Sequence, residues 1–374
     1  MRILLLTLIT HLPDPVTGTV EPRHDRLRRV IETGVAAEEL GYDGFAVGER
    51  HERPFISSAP PVVLSHLAAR TSRIRLFTGV TTLSLLDPVR AYEDYATLDQ
   101  LSSGRLELMI GKGNGTAQRE LFSITEEDQW ERNRESYELF RTLWQRASEP
   151  TGQQNVTWSG RFRPPLDDAE VWPLPYQPQL RVWHGSATSR ASVDLAVEYG
   201  EPLFSANVTY GIEPYRELID YYRRSWAEAG RNPADALVGA GTAGFLVQPT
   251  SQAALNLFRP VFDARSAAAR AAGLPSPWRD YTDFLENSSA LVGSPSQVIE
   301  KVHRYHEAFG HDVMHLSADG EGLTPGQHRT MLELFQNDVA PELRRLFPSR
   351  PLKPWGTTST TPTTPSEAHH VSAV

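Results

Sequence analysis

Along most of the chain, short runs of apolar residues alternate with stretches whose apolar positions recur every three or four residues. This is the pattern of buried strands each followed by an amphipathic helix. Residues 2–10 read as the first buried strand. Asp25 as N-cap, then Leu27, Val30, Ile31 and Val35 at helical spacing and Gly41 as a stop, predict the first helix. Phe45 to Val47 is a second strand; a helix from about Pro60 to Thr71 leads to a third, Ile74 to Leu83, rich in β-branched residues. Asp87 and Pro88 supply N-cap and first position for a helix with Ala91, Tyr95, Leu98 and Leu101 on one face, ended by Gly104. Arg105 to Gly111 is strand four, and Thr125 with Asp128 resembles a capping box before Trp130, Tyr137, Phe140 and Trp144. Residues 146–179 read as an irregular excursion. Leu180 to His184 is strand five, with a helix from Ser189 to Tyr199, and Leu203 to Ala206 is strand six, with a helix carrying Tyr215, Leu218, Ile219, Tyr222 and Trp226. Ala243 to Val247 is taken as strand seven, followed by a second excursion over 250–292 and a helix capped by Ser294, Pro295 and Gln297 and closed by Gly310. Asp312 to Ser317 is strand eight, and Thr324-Pro325 opens a last helix through Met331, Phe335, Val339 and Leu343.

Eight strand-helix units predict an α/β fold, a (β/α)8 TIM barrel over residues 1–347, with insertions after the fourth helix and after strand seven. A doubly wound sheet is the alternative, but Gly111-Lys112-Gly113-Asn114-Gly115 has the wrong spacing for a dinucleotide fingerprint. With 40% hydrophobic and 22% charged residues the chain can bury a core unaided. Lys and Arg total 37 against 46 Asp and Glu, a net charge of −9, and no long basic run is present, which argues against nucleic acid as a partner. The absence of cysteine removes disulfides, thiolate metal sites and cysteine nucleophiles. The opening apolar run is short and lacks a small-residue cleavage site, so a buried strand is expected there in place of a leader peptide. No run spans a bilayer, and a cytoplasmic location is expected. From 348 on, Thr, Ser and Pro dominate, and a disordered tail is expected, with His369-His370 solvated.

In a barrel, chemistry gathers where the strands end. The polar residues there are Thr10, His11, Glu49-Arg50-His51-Glu52, Thr81-Thr82, Lys112, the turn from Gly185 to Ser192, Ser205 to Asn207, Ser317 and Asp319. The Ser/Thr-rich turn suits a phosphate, because free N–H groups meet a helix dipole there, or is a plain N-cap. Lys112 could supply positive charge, or be solvated. His51 beside Glu49 could act as a base, or the four residues form a salt-bridged loop. His303 and His306 fit a solvated helix face better than a metal site. Trp158, Phe162, Trp172 and Tyr176 suggest an apolar lid, with loop packing as the alternative.

Gly48 to Phe55, Leu67 to Thr71, Asp87 to Ala96, Ser103 to Gly113, Val182 to Ser186, Gly293 to Val298 and Asp338 to Leu343, taken in order, resemble the bacterial luciferase-like flavin monooxygenase family. The resemblance implies a (β/α)8 barrel, reduced FMN or in some branches the deazaflavin F420, and a homodimer. It implies catalytic positions at Glu49, Arg50 and His51, with arginine where the family carries a histidine, so that Arg50 would orient substrate or stabilise charge and proton transfer would fall to His51 or His184. It places the flavin phosphate between Lys112, with Gly113, and the turn carrying Gly185, Ser186, Ser189 and Ser192. It puts Val80, Thr81 and Thr82 under the isoalloxazine, with a non-proline cis peptide expected at Thr81 or Thr82. The implied activity is oxidation of a small organic substrate by O2 and reduced FMN supplied by a separate reductase. An F420-dependent hydride-transfer enzyme and a catalytically idle flavin-binding homologue are the alternatives.

Overall fold

The computed structural model describes residues 1–113, 115–147, 155–271, 273 and 276–350. In chain order its elements begin with β1 (Arg2–Thr7), α1 (Arg23–Leu40), β2 (Gly44–Val47), α2 (Pro60–Ala68), β3 (Arg75–Thr78), α3 (Pro88–Ser102) and β4 (Leu106–Ile110). There follow α4 (Thr116–Leu121), α5 (Gln129–Ala147), β5 (Val156–Trp158), β6 (Leu166–Ala169), β7 (Val182–Ser186), α6 (Arg190–Tyr199), β8 (Leu203–Ser205) and α7 (Ile212–Glu228). The last part holds β9 (Val238–Ala240), β10 (Phe245–Val247), α8 (Ser251–Ala271), α9 (Tyr281–Asn287), β11 (Leu291–Gly293), α10 (Pro295–Phe309), β12 (Val313–Ser317), α11 (Pro325–Leu334) and α12 (Ala340–Leu346). Eight parallel strands close into a barrel in the order β1-β12-β9-β8-β7-β4-β3-β2, as the alternation predicts.

The strand period of two divides the apolar residues between two cores. Leu4, Ala46, Phe77, Met109, Trp183, Phe204 and Val313 pack together inside the barrel. Leu5, Phe45, Leu76, Leu108 and Ile110 belong to the core between barrel and helices. The helix ends follow from the sequence: Asp87 accepts the N–H groups of Val89 and Arg90, Gly41, Gly200 and Gly310 close their helices in the left-handed conformation, and capping boxes start α10 and α11.

Several boundaries differ from expectation. Helix α1 starts at Arg23 behind Pro22, so Asp25 lies in its first turn and is not the cap. The seventh barrel strand is β9, and the predicted run at 243–247 instead contributes β10, which pairs with β11 outside the barrel. The reason is steric: Gly239 lies against the Phe204 ring and Gly241 against the Ala206 carbonyl, so this strand carries glycine where its neighbours carry large apolar residues. The first excursion contains an antiparallel hairpin, β5 with β6. Its turn is tied by Arg161 to Asp128 at the start of α5, and Gln177 then donates to Asp99 of α3. Trp172 and Tyr176 are exposed on this strap, Tyr92 of α3 donates to Pro173 O, and Trp158 packs on the main core. These aromatics therefore flank α3 and α5 and form no lid over the strand ends, because the chain must return there from the top of the barrel to the start of β7. His306 is half-buried against Phe347, off the solvated face expected of it. Arg350 pairs with Asp312 at 2.6 Å. The expected tail, with His369-His370, lies from residue 351 outside the described residues.

Candidate active site

Two residues after the interior residues Ala46, Phe77, Met109, Trp183 and Gly239, at or just past the strand ends, the inward position at the barrel mouth falls on glycine: Gly48, Gly79, Gly111, Gly185 and Gly241. A methyl group on Gly111 would stand 3.1 Å from Val80 Cγ2, and one on Gly185 would stand 2.7 Å from Val80 Cγ1. Val80 thus rests on these two glycines and forms a half-buried apolar platform at the centre of the mouth. The non-proline cis peptide is Gly79–Val80, one residue before the positions expected for it at Thr81 or Thr82. Thr81 and Thr82 are fully buried: Thr81 Oγ1 lies 2.6 Å from Tyr95 OH, and Thr82 N–H donates to Glu49 Oε2 at 3.2 Å. Of the three predicted residues here, Val80 is the one that offers surface.

Glu49, buried behind β2, also meets His51 Nε2 at 3.0 Å. Its two oxygens thereby hold the imidazole and the backbone after β3 in one arrangement. The His51 ring stands edge-on to Phe122, centroids 4.7 Å apart. Arg50 points elsewhere, pairing with Glu52 and lying 4.7 Å over the Phe55 ring, which is the salt-bridged rim arrangement. His184 is not at the mouth. It faces outward from β7, with Nε2 2.6 Å from Glu201 Oε2, a carboxylate that also receives Tyr137 OH. The outward parity of His184 is legible from its neighbour Trp183, which fills the barrel.

The register pairs Ile110 with His184, so Lys112 and Ser186 end adjacent strands at the same level. The Lys112 carbonyl is fixed by Ser84 Oγ at 2.8 Å and Gln129 Nε2 at 2.6 Å, and Gly113 turns the chain at φ +75°, a left-handed conformation that glycine adopts without strain. No carboxylate among the described residues pairs with the Lys112 ammonium. Ser186 Oγ accepts Ser189 N–H at 3.0 Å and donates to Ser189 O at 3.1 Å, shaping the turn. Ser189 is the N-cap of α6 and Ser192 is buried in its first turn, so backbone N–H groups and Lys112 are what the turn offers an anion. One layer below, His315 stacks on Phe204, and burial pushes its imidazole down to about 4, leaving it neutral. Gly79 and Gly241, and Gln129, Phe122 and Tyr95 as site residues, escape the sequence reading, which names Gly185 for the anion turn and not as the support of Val80. A glycine at the inward position after strand upon strand was the available signal.

An apolar platform with a cation and a helix N-terminus at one edge could hold a planar ring system carrying a phosphate-ended chain. The family profile described as luciferase-like monooxygenase matches residues 1–312. N-acetyl-S-alkylcysteine monooxygenase of Bacillus subtilis (strain 168) is 36% identical over 28% of this chain, and this chain spans only 31% of that relative's length. A longer match is to 4-hydroxyprotoasukamycin monooxygenase of Streptomyces nodosus subsp. asukaensis, 26% identical over 84% of this chain and 86% of that protein. F420-dependent glucose-6-phosphate dehydrogenase of Segniliparus rotundus is 27% identical over 85% of this chain and 95% of that protein. Among solved structures, monooxygenase RslO1 from Streptomyces bottropensis superposes with a TM-score of 0.77 at 21% identity, covering 91% of this chain and 99% of that one. The oxygenating constituent of 3,6-diketocamphane monooxygenase from Pseudomonas putida, in complex with FMN, gives 0.72 at 19% identity, covering 91% and 98%. The match along residues 1–312, together with the closed parallel barrel, assigns this chain to the luciferase-like monooxygenase family.

Proposed function

We propose that this chain is a flavin-dependent monooxygenase that uses reduced FMN and O2 to oxidise a small organic substrate. The observation that supports the reading best is the Val80 platform on Gly111 and Gly185, with Lys112 and the Ser186 turn at its edge. Bound there, the reduced flavin would supply the electrons that activate O2. Lys112 and the N–H groups at the start of α6 would neutralise its phosphate. Glu49, 3.0 Å from His51 Nε2, orients the ring and would leave Nδ1 as the nitrogen that exchanges a proton with the reacting groups. Arg50, engaged with Glu52, closes the rim. A separate reductase, a homodimer and a cytoplasmic location complete the reading, as does a barrel domain ending near residue 347.

The F420-dependent relative keeps a second cofactor in view. Anaerobic titration with reduced FMN and, separately, reduced F420 decides between them, followed by oxygen uptake with candidate substrates. Tight binding of reduced FMN with substrate-dependent oxygen uptake is expected. Binding of F420 alone, with hydride transfer and no oxygen uptake, overturns the proposal.

A further inference from the structure

The inner face of β12 carries a polar side chain that nothing in the protein satisfies. Val313 belongs to the packed interior of the barrel, and the strand period of two turns His315 inward as well, one step nearer the mouth. Its imidazole is 8% exposed and stacks on Phe204, with ring centroids 5.8 Å apart. Neither ring nitrogen has a hydrogen-bond partner among the described residues, and Nδ1 is shielded from solvent. Just past β9, Gly241 leaves room at the other nitrogen, for a methyl group there would stand 2.4 Å from His315 Nε2. Burial pushes the ring down to about 4, so near neutral pH it presents one N–H donor and one lone pair.

The other polar side chains at the ends of β1 and β12 are engaged. Thr7 Oγ1 donates to Asp319 at 2.8 Å and accepts the Ile9 N–H at 2.8 Å, Asp319 also holds Arg26, and Ser317 Oγ accepts the Asp319 N–H at 3.2 Å. Buried polar groups are satisfied as a rule, by protein, water or ligand, so an imidazole without a protein partner at the bottom of a binding mouth points to a partner on the ligand. The strand order decides which part of the ligand meets it. In the closed barrel β12 lies four strands from β4 in either direction, directly across the mouth from Lys112. A ligand anchored by its phosphate at Lys112 and carried over Val80 turns its remote end toward His315. One end of an isoalloxazine carries two methyl groups, and the other, the pyrimidine ring, carries two carbonyls and an N–H. An imidazole in want of a hydrogen bond matches the pyrimidine.

We infer that His315 is a cofactor-contacting residue whose ring N–H donates to the C2 or C4 carbonyl oxygen of the flavin's pyrimidine ring, an inference that rests on the flavin lying over Val80 with its phosphate at Lys112. Phosphate and pyrimidine are then held at opposite walls of the mouth, and the platform between them fixes the plane of the ring.

The test is anaerobic titration of the full chain with reduced FMN and, separately, with reduced riboflavin, which lacks the phosphate. His315→Phe keeps an aromatic surface on Phe204 and removes the hydrogen bond, so it should raise Kd about tenfold for both ligands. His315→Gln, which still offers an N–H, should recover most of that loss. Lys112→Gln should weaken reduced FMN and leave riboflavin unchanged. FMN labelled with 13C at C2 and C4 gives a second reading that needs no variant: one carbonyl carbon should move downfield on binding to the parent, and the move should vanish in His315→Phe at saturation. Where His315→Phe fails to fold, His315→Met replaces it. FMN binding that depends on Lys112 while Kd ignores His315→Phe overturns this inference and leaves the flavin site standing, as does a carbonyl shift that is absent in the parent or survives in the variant. Failure of reduced FMN to bind the parent overturns both.

Discussion

Lys112 and Arg50 are both cations at the mouth, yet their surroundings differ enough to predict opposite outcomes. The Lys112 backbone is held by Ser84 and Gln129 while its ammonium has no acid partner among the described residues. Lys112→Gln should therefore weaken FMN binding by roughly 1–3 kcal/mol, the worth of a charge-assisted hydrogen bond, and reduce its salt dependence; flavin fluorescence titration at two ionic strengths reads both. Arg50 is engaged by Glu52 and lies over the Phe55 ring at the rim, so Arg50→Ala should leave turnover within about twofold of the parent. A large loss of turnover would return Arg50 to the substrate. For His51 the readout is turnover set against flavin affinity. Under the proposed role, His51→Asn should lower turnover about tenfold or more while reduced-FMN affinity stays within about twofold, and Glu49→Gln should lower it less, since the ring keeps a hydrogen-bond partner at Nε2.

Among the elements, the stretch after β3 depends on the two strands beneath it. Gly185→Ala would set a methyl 2.7 Å from Val80 Cγ1 and 3.2 Å from the Ile110 carbonyl, so it should cost about 1–3 kcal/mol in urea unfolding. The cost should fall clearly in a Val80→Ala background; an unchanged cost would mean that Val80 is not what the glycine accommodates. The barrel was legible because strands buried on both faces are continuous apolar runs, and because Asp87, Ser294, Thr324 and the closing glycines mark helix ends. Strand β9 was hidden for a local reason: its inward residue Gly239, and Gly241 just past its end, yield to Phe204 and Ala206, so the apolar run that identifies a strand lies further on, in β10. At the site, Glu49, His51 and Lys112 stood out by charge, but Val80 carries no chemical label. Its importance comes from glycines on strands about 30 and 105 residues away in the chain, which spacing alone does not connect. His184 misled for the converse reason, since a polar residue at a strand end can face either way.

For the whole molecule, acid is the condition to which the fold is most exposed. Burial pushes His315 and His328 down to about 4 and His311 well below its ordinary value. The folded protein resists protons that the unfolded chain takes up near pH 6.5, so stability held above that pH is lost as it falls toward 4, by up to roughly 3 kcal/mol for each of the first two. Urea midpoints should drop between pH 7 and 4.5, and less steeply in His315→Gln; a flat profile would contradict the buried neutral histidines. The interior layer of Phe77, Met109, Trp183 and Phe204 has another consequence. A barrel stoppered across its waist is a well, not a pipe. Under the proposed function, a flavin lying on Val80 beneath its substrate would go in first and come out last, over the same rim that admits everything else, and would be exchanged only after the organic molecule above it had left. Crowding the protein with substrate should then slow the flavin's departure in proportion to occupancy, and the traffic becomes a queue with its order set by depth.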